Sequence, residues 1–267
     1  VFSDANTMLG KDSLKEIIKP FQDNKVGCVS GEKRIINKKT DSATGAGESF
    51  YWKFESFLKK LDSDFYSSVG AAGELFAIRT DLFPCIEKDT ILDDFVISLK
   101  IALQGYIIKY TPKAFAIETA SFDISEEMKR KVRIAAGCFQ TLFRMGSLFD
   151  FFNHPKLTFQ YVSHKVWRWT ITPLCLFFIF PFVFIISFIN GIFYRGNNIA
   201  LIWSAVVIIV FILIMTGWLL RNKSIRLKIL HGPFYFITTN YAILLGFFRY
   251  LKGKQSVVWE KAKRAGN

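Results

Sequence analysis

Through the first 120 residues, short apolar runs alternate with amphipathic stretches. "VFS" reads as the end of a strand that hands Ser3, Asp4, Ala5 and Asn6 to a loop. "DSLKEIIKPF" predicts a short helix with Leu14, Ile17, Ile18 and Phe21 on one face and Asp12 or Ser13 as its cap. "VGCVSG" reads as a buried strand closed by glycine, and "KKTDSATGAGES" as a polar, glycine-rich loop. "FYWKFESFLKKLDS" has helical periodicity that puts Phe54, Phe57, Leu58 and Leu61 inward. "SSVGAAGELFAIR" predicts a glycine-hinged turn and a strand. "DDFVISLKIALQG" predicts a helix ending at Gly105, and "YIIKYTP" and "AFAIE" two short strands. This alternation is α/β organisation.

The pattern then changes. Residues 125–146 predict a helix with a stripe of Met128, Val132, Ala135, Phe139 and Leu142, and Lys129, Arg130 and Arg133 on the other face. Such a helix suits a domain surface or a membrane interface. Ile171–Ile189 and Ile199–Leu220 follow, 19 and 22 residues without a charge, each long enough to span a bilayer. Gly232–Phe248 is a third uncharged run, of 17 residues, at the short limit for a span. It predicts either a span or a re-entrant segment. The expected division is a catalytic domain over 1–124, interface helices over 125–170, a membrane region over 171–250 and a basic tail over 251–267.

Charge sharpens this division. The formal net charge is +13, yet residues 1–150 hold 21 basic and 21 acidic side chains. Residues 151–267 hold 14 basic residues and a single acid, Glu260. The excess lies beside the apolar runs, which argues for a cytoplasmic membrane face and against nucleic acid. The loop "NGIFYRGNN" has one Arg, whereas "RNKSIRLK" after the second run has four basic residues. That asymmetry predicts a cytoplasmic α/β domain. The spans carry no internal charge to mark a transport pathway. Cys28, Cys85, Cys138 and Cys175 form no CxxC pair, and His154, His164 and His231 have no metal-ligand spacing.

Four short stretches carry candidate chemistry. Asp4 and Asn6 flank one residue just after a strand, so both oxygens can reach one hard divalent cation. The triplet also fits an Asx turn. Asp93 and Asp94 open a helix, whose N-terminus favours an ionised carboxylate. An ionised carboxylate in a cleft can act as general base toward a hydroxyl. Ordinary capping explains the pair equally. Gly70, Ala71, Ala72 and Gly73 permit close backbone approach or a simple turn. Arg130 and Arg133, one helical turn apart, suit either phosphate oxygens or a solvated face.

The order of these pieces resembles the membrane-integrated family 2 glycosyltransferases of the cellulose synthase and hyaluronan synthase type. "FSDAN" is similar to the DxD metal motif, "VGAAGELFAIR" to the acceptor-side glycine motif, "LDD" to the TED base motif and "RKVR" to QxxRW. The resemblance implies a GT-A-like α/β fold, truncated at its N-terminus because the nucleotide-binding half would precede residue 1, followed by a helical transmembrane region. It implies that Asp4 and Asn6 hold Mg²⁺ or Mn²⁺, that Asp94 is the base with Asp93 in support, and that Gly70–Gly73, Arg130 and Arg133 line the donor and acceptor sites. Trp259 resembles the Trp of a cytosolic gating segment. Ile134 stands where QxxRW has its Trp. The implied partners are a UDP-sugar, a glycan or lipid-linked acceptor, and the plasma membrane bilayer. The implied reaction is inverting transfer to a growing polysaccharide. Single-sugar transfer to a lipid carrier and a catalytically silent partner subunit are the alternatives. The chain on its own is expected to be inactive.

Overall fold

A computed structural model describes residues 1–36, 43–119, 124–193, 198–219, 228–253 and 255. Among these residues, β1 (Met8–Leu9), β2 (Val26–Ile36), β3 (Phe76–Ile78) and β4 (Ile107–Thr119) form one mixed sheet in the spatial order β1-β4-β2-β3. β2 and β4 run parallel, and the outer pairs are antiparallel. The central strands are covered on both faces, which is why Cys28, Val29, Ile108, Ala114 and Ala116 are fully buried.

Two strand boundaries differ from the pattern reading. β2 runs on past Gly31, and β4 joins what reads as two strands. The reason is one irregularity: the register steps from Gly31↔Thr111 to Glu32↔Phe115, so Pro112, Lys113 and Ala114 bulge out. A bulge is where a strand tolerates a residue without an N–H.

Helix α1 (Ser13–Ile18) buries Ile17 but leaves Leu14 and Ile18 exposed, because six residues present little more than one position inward. Its expected cap makes no side-chain bond at Asp12. Ser13 instead donates to the Phe115 carbonyl (2.8 Å) and accepts from the Phe115 N–H (3.0 Å), pinning the helix to β4.

Helix α2 (Ala43–Phe65) starts inside the stretch that reads as a glycine-rich loop. Its burial is the reverse of expectation. Phe54 and Phe57 are 48% and 57% exposed, while Glu55 and Lys59 are 4% and 6% exposed. Phe50, Leu61 and Phe65 continue the exposed apolar face. The polar face turns inward because it finds partners. Glu55 pairs with Lys165 (2.5 Å) and Arg168 (2.6 Å), and Asp62 pairs with His164 Nδ1. Burial works against the Glu55 charge, yet Arg168, Lys165 and His164 hold its carboxyl well below the usual range.

Helix α3 (Asp93–Leu103) packs Phe95, Val96, Leu99 and Ala102 into the core. Helix α4 (Ile124–Arg144) buries Ala135, Ala136, Cys138 and Phe139. Its basic face is only partly solvated: Lys129 is exposed, but the two arginines turn inward. Arg130 bridges Glu48 (2.8 Å) and Glu127 (3.0 Å), and Arg133 is 7% exposed. The helix Lys228–Leu251 packs along α4 and α2, and Tyr235 donates to Glu127 at 2.9 Å.

Among the described residues, two helical stretches are long and apolar enough to cross a membrane, Pro155–Ile189 and Ile202–Leu219. The first contains π-helical turns at Val162–Val166 and Cys175–Ile179, beside Pro173 and Pro181. Wider turns of this kind absorb a missing backbone donor. Most of their apolar side chains, such as Phe182, Ile185, Ile209 and Phe211, are exposed.

Candidate active site

The loop between α2 and β3 brings the two acidic motifs together. A Cβ placed on Gly73 would lie 3.3 Å from Asp94 Oδ2 and 3.5 Å from Asp4 Oδ1. The two carboxylates therefore border the same space, left open by a residue without a side chain. Three local features hold this arrangement. The segment 2–7 is tied to β3 by the reciprocal Phe2–Phe76 backbone bonds (2.8 and 3.1 Å) and by Ser3 Oγ donating to the Glu74 carbonyl (3.0 Å). A turn closes on Asp4, whose carbonyl accepts from the Thr7 N–H (3.2 Å) and Oγ1 (2.9 Å). The glycine loop is fixed to α3 by the Ala71 N–H, which donates to buried Ser98 Oγ at 2.9 Å. Gly70 has φ +84 and lies against the Phe95 ring, so its position suits only glycine. Ala72 is half-buried beside it and closes a turn through its carbonyl to Leu75 N–H (3.3 Å).

Asp93 and Asp94 begin α3 with no side-chain cap ahead of them. The helix start was expected to keep Asp94 ionised. Burial outweighs the Phe95 N–H that favours its charge, and with nearby Glu74 and Asp93 raises its pKa to about 7. Asp4 is pushed up to about 6 by partial burial and by the charges of Glu74 and Glu118. Glu74 goes the other way, to about 2: burial opposes its charge, but Lys33 pairs with it.

Several side chains around this cleft escape sequence reasoning. Lys33 lies buried between Glu74 and Glu118 (2.5 Å to Glu118) and over the ring of Trp52 at 4.5 Å. Glu118 in turn accepts from Asn6 Nδ2 at 2.8 Å. Their signals were a lysine at the strand parity of Val29 and Gly31, and a glutamate ending the buried series Ala114, Ala116. Gln140, on the buried face of α4, clamps the loop ahead of Asp93. It accepts from the Ile91 N–H (2.9 Å) and donates to the Asp89 carbonyl (2.8 Å). Arg130 is held by Glu48 and Glu127, and Arg133, on the same helix, is buried. Trp259 lies outside the described residues.

Asp4 and Asn6 offer two hard oxygen donors, the set that suits Mg²⁺ or Mn²⁺. Among the described residues no three histidine, cysteine or acidic side chains converge into a cation cage. The donor set therefore fits a cation that completes its shell with substrate phosphates and water.

The family model described as "Glycosyl transferase family group 2" matches residues 1–247, and the chain belongs to that family. It is 26% identical over 181 residues to the poly-β-1,6-N-acetyl-D-glucosamine synthase of Staphylococcus aureus (strain COL), an alignment covering 63% of this chain and 42% of that protein. The same identity and coverage hold for the synthase of strain N315. The chain thus spans less than half the length of these curated relatives. Among solved structures, it is similar to the mannosyltransferase PcManGT from Pyrobaculum calidifontis in complex with GDP-Man and Mn²⁺. That likeness has a TM-score of 0.57 at 17% identity and covers 95% of this chain and 62% of the other. The fold is GT-A-like.

Proposed function

We propose that the whole protein is an inverting glycosyltransferase that moves a sugar from a UDP-sugar to a growing polysaccharide at the cytoplasmic membrane face. The observation that carries this reading is the approach of Asp4 and Asp94 to the same open space at Gly73. Asp4 and the Asn6 carbonyl would hold Mg²⁺ or Mn²⁺, which when bound supplies Lewis-acid neutralisation of the donor diphosphate. Asp94 would take the proton from the acceptor hydroxyl as that oxygen attacks the anomeric carbon. A carboxyl with a pKa of about 7 is well matched to this task near neutral pH. Asp93 raises that value and supports it. The Gly70–Gly73 backbone would give the acceptor close approach to both carboxylates. Arg133 takes the role of stabilising the departing diphosphate, and Arg130, bound to Glu48 and Glu127, positions α4.

Residues 1–124 form the catalytic portion in this reading, 125–170 the interface and 171–250 the membrane region. The exposed Phe50, Phe54, Phe57, Leu61 and Phe65 face of α2 would rest on the bilayer surface. The helix Lys228–Leu251, packed along α4, would lie at that same surface and return the basic tail with Trp259 to the cytosol. Single-sugar transfer to a lipid-linked acceptor is the second reading. Ile134 favours it, because an aliphatic side chain offers no stacking platform for a glycan.

Membranes bearing the whole protein, given Mn²⁺ and a panel of radiolabelled nucleotide sugars, test both. Label in a long water-soluble chain supports the polysaccharide reading, and label in the organic phase the lipid reading. Activity undiminished by EDTA refutes the metal role. Labelling of Trp259→Cys from outside intact cells refutes the cytosolic tail.

A further inference from the structure

Position 6 carries a neutral amide where the resemblance expects a second carboxylate, and the structure contains a reason. This inference rests on the cation reading above. Asn6 Nδ2 donates to Glu118 Oε1 at 2.8 Å, and the other Glu118 oxygen is 2.5 Å from Lys33 Nζ. The Glu118 and Lys33 side chains are both 2% exposed. A carboxylate paired with lysine accepts hydrogen bonds and cannot donate them. The contact therefore fixes which end of the Asn6 amide faces Glu118. The NH₂ group points to the carboxylate, and the carbonyl oxygen is left on the other branch of the amide. An aspartate at position 6 would instead set a second carboxylate at hydrogen-bond distance from Glu118, and like charges that close disfavour shared ionisation.

We propose that Glu118 is a positioning residue for the cation site: it selects asparagine at position 6 and orients the Asn6 carbonyl oxygen for the cation that Asp4 holds. Asn6 and Glu118 are then a matched pair, replaceable only together. The charge that the second aspartate would bring stands one layer back, on β4, where Lys33 anchors it.

The test is Mn²⁺ binding to the purified whole protein in detergent, followed by electron paramagnetic resonance. The variants are Asp4→Ala, Asn6→Asp, Glu118→Gln and the exchange Asn6→Asp/Glu118→Gln. The exchange keeps the number of carboxylates and keeps the hydrogen bond, with the new amide on β4 now donating. Each single change at 6 or 118 is expected to raise the Mn²⁺ dissociation constant about tenfold or more. The exchange should return it to within about threefold of the parent. KM for Mn²⁺ should follow the same order while kcat changes less. If Glu118 acts only as a distant charge, Asn6→Asp binds Mn²⁺ more tightly and the two changes add in the logarithm; that result overturns the proposal. Should Glu118→Gln not fold, the exchange must still bind better than Asn6→Asp, and the reverse order overturns it. Mn²⁺ binding that survives Asp4→Ala removes the cation reading itself. Binding that needs Asp4 but is additive at 6 and 118 removes only the role of Glu118.

Discussion

Replacing Asp94 with Asn should make the protein more stable and nearly inactive, and the gain in stability should depend on pH. Burial, with Glu74 and Asp93 nearby, raises the Asp94 pKa from 3.8 to about 7. Between those values the folded chain retains a proton that the unfolded chain gives up. Stability therefore falls as pH rises through this window and levels off above about 7. A displacement of that size corresponds to about 4 kcal/mol once the group is ionised. The residue is partly open to the cleft, so about 2–4 kcal/mol is the working range. Asparagine keeps the shape, accepts the Phe95 N–H bond and never ionises. The variant should melt about 5–10 °C above the parent at pH 8. The gap should close progressively toward pH 5. The assay is thermal unfolding in detergent with EDTA, so that no bound cation offsets the charge. Transfer activity of the same preparation should fall by about 10²–10⁴. A variant no more stable than the parent at pH 8 would refute the reasoning. So would an equal gap at both pH values, which would trace the effect to packing instead of charge.

Three further outcomes follow from the same geometry. With Mn²⁺ saturating, kcat/KM should rise with pH on a limb whose midpoint lies at or below about 7, up to about tenfold between pH 6 and 8; a flat profile would remove Asp94 from the base role. Gly73→Ala should abolish transfer with little change in melting temperature, since its Cβ enters the space between Asp4 and Asp94, whereas Gly70→Ala should destabilise by about 1–3 kcal/mol through its φ and the Phe95 ring. Equal melting of the two glycine variants would contradict this division. Gln140→Ala should cost about 1–3 kcal/mol, because it strands the buried Ile91 N–H, and should lower kcat more than donor affinity, because it loosens the loop that sets Asp93 and Asp94. Unchanged kcat would show that the clamp does not serve the site.

Local patterns were legible where the chemistry is local. The turn at Asp4, the helix start at Asp93 and the glycine loop each follow from a few adjacent residues. What periodicity could not show is which face of an amphipathic helix turns inward. Phe54, Phe57 and Leu61 do share a face of α2, but that face is open. The buried face is Glu55, Lys59 and Ser63, stabilised by partners such as Lys165 that lie far along the chain. Arg130 escaped for the same reason: a basic stripe looks solvated until Glu48 is seen against it. The Asn6–Glu118 bond was likewise hidden, since it joins a turn near the start of the chain to the far end of β4. The step in register at Pro112 turned two apparent strands into one.

The ion cluster on α2 has a corollary for anyone wishing to harvest the α/β part without the apolar helices. Cutting the chain ahead of Pro155 would discard Lys165, Arg168 and His164 together, leaving buried Glu55 and half-buried Asp62 without their counter-ions. Stranding one buried charge such as Glu55 costs about 3–5 kcal/mol, a large share of the stability of a typical domain. A cut beyond Trp169 keeps these pairs but still strips the helix Lys228–Leu251 from α4 and α2, and with it the Tyr235 hydroxyl that donates to Glu127; a cut ahead of Pro155 further requires Glu55→Gln and Asp62→Asn. The border between the α/β part and the apolar helices is thus drawn through shared ion pairs, and neither half can be lifted out clean.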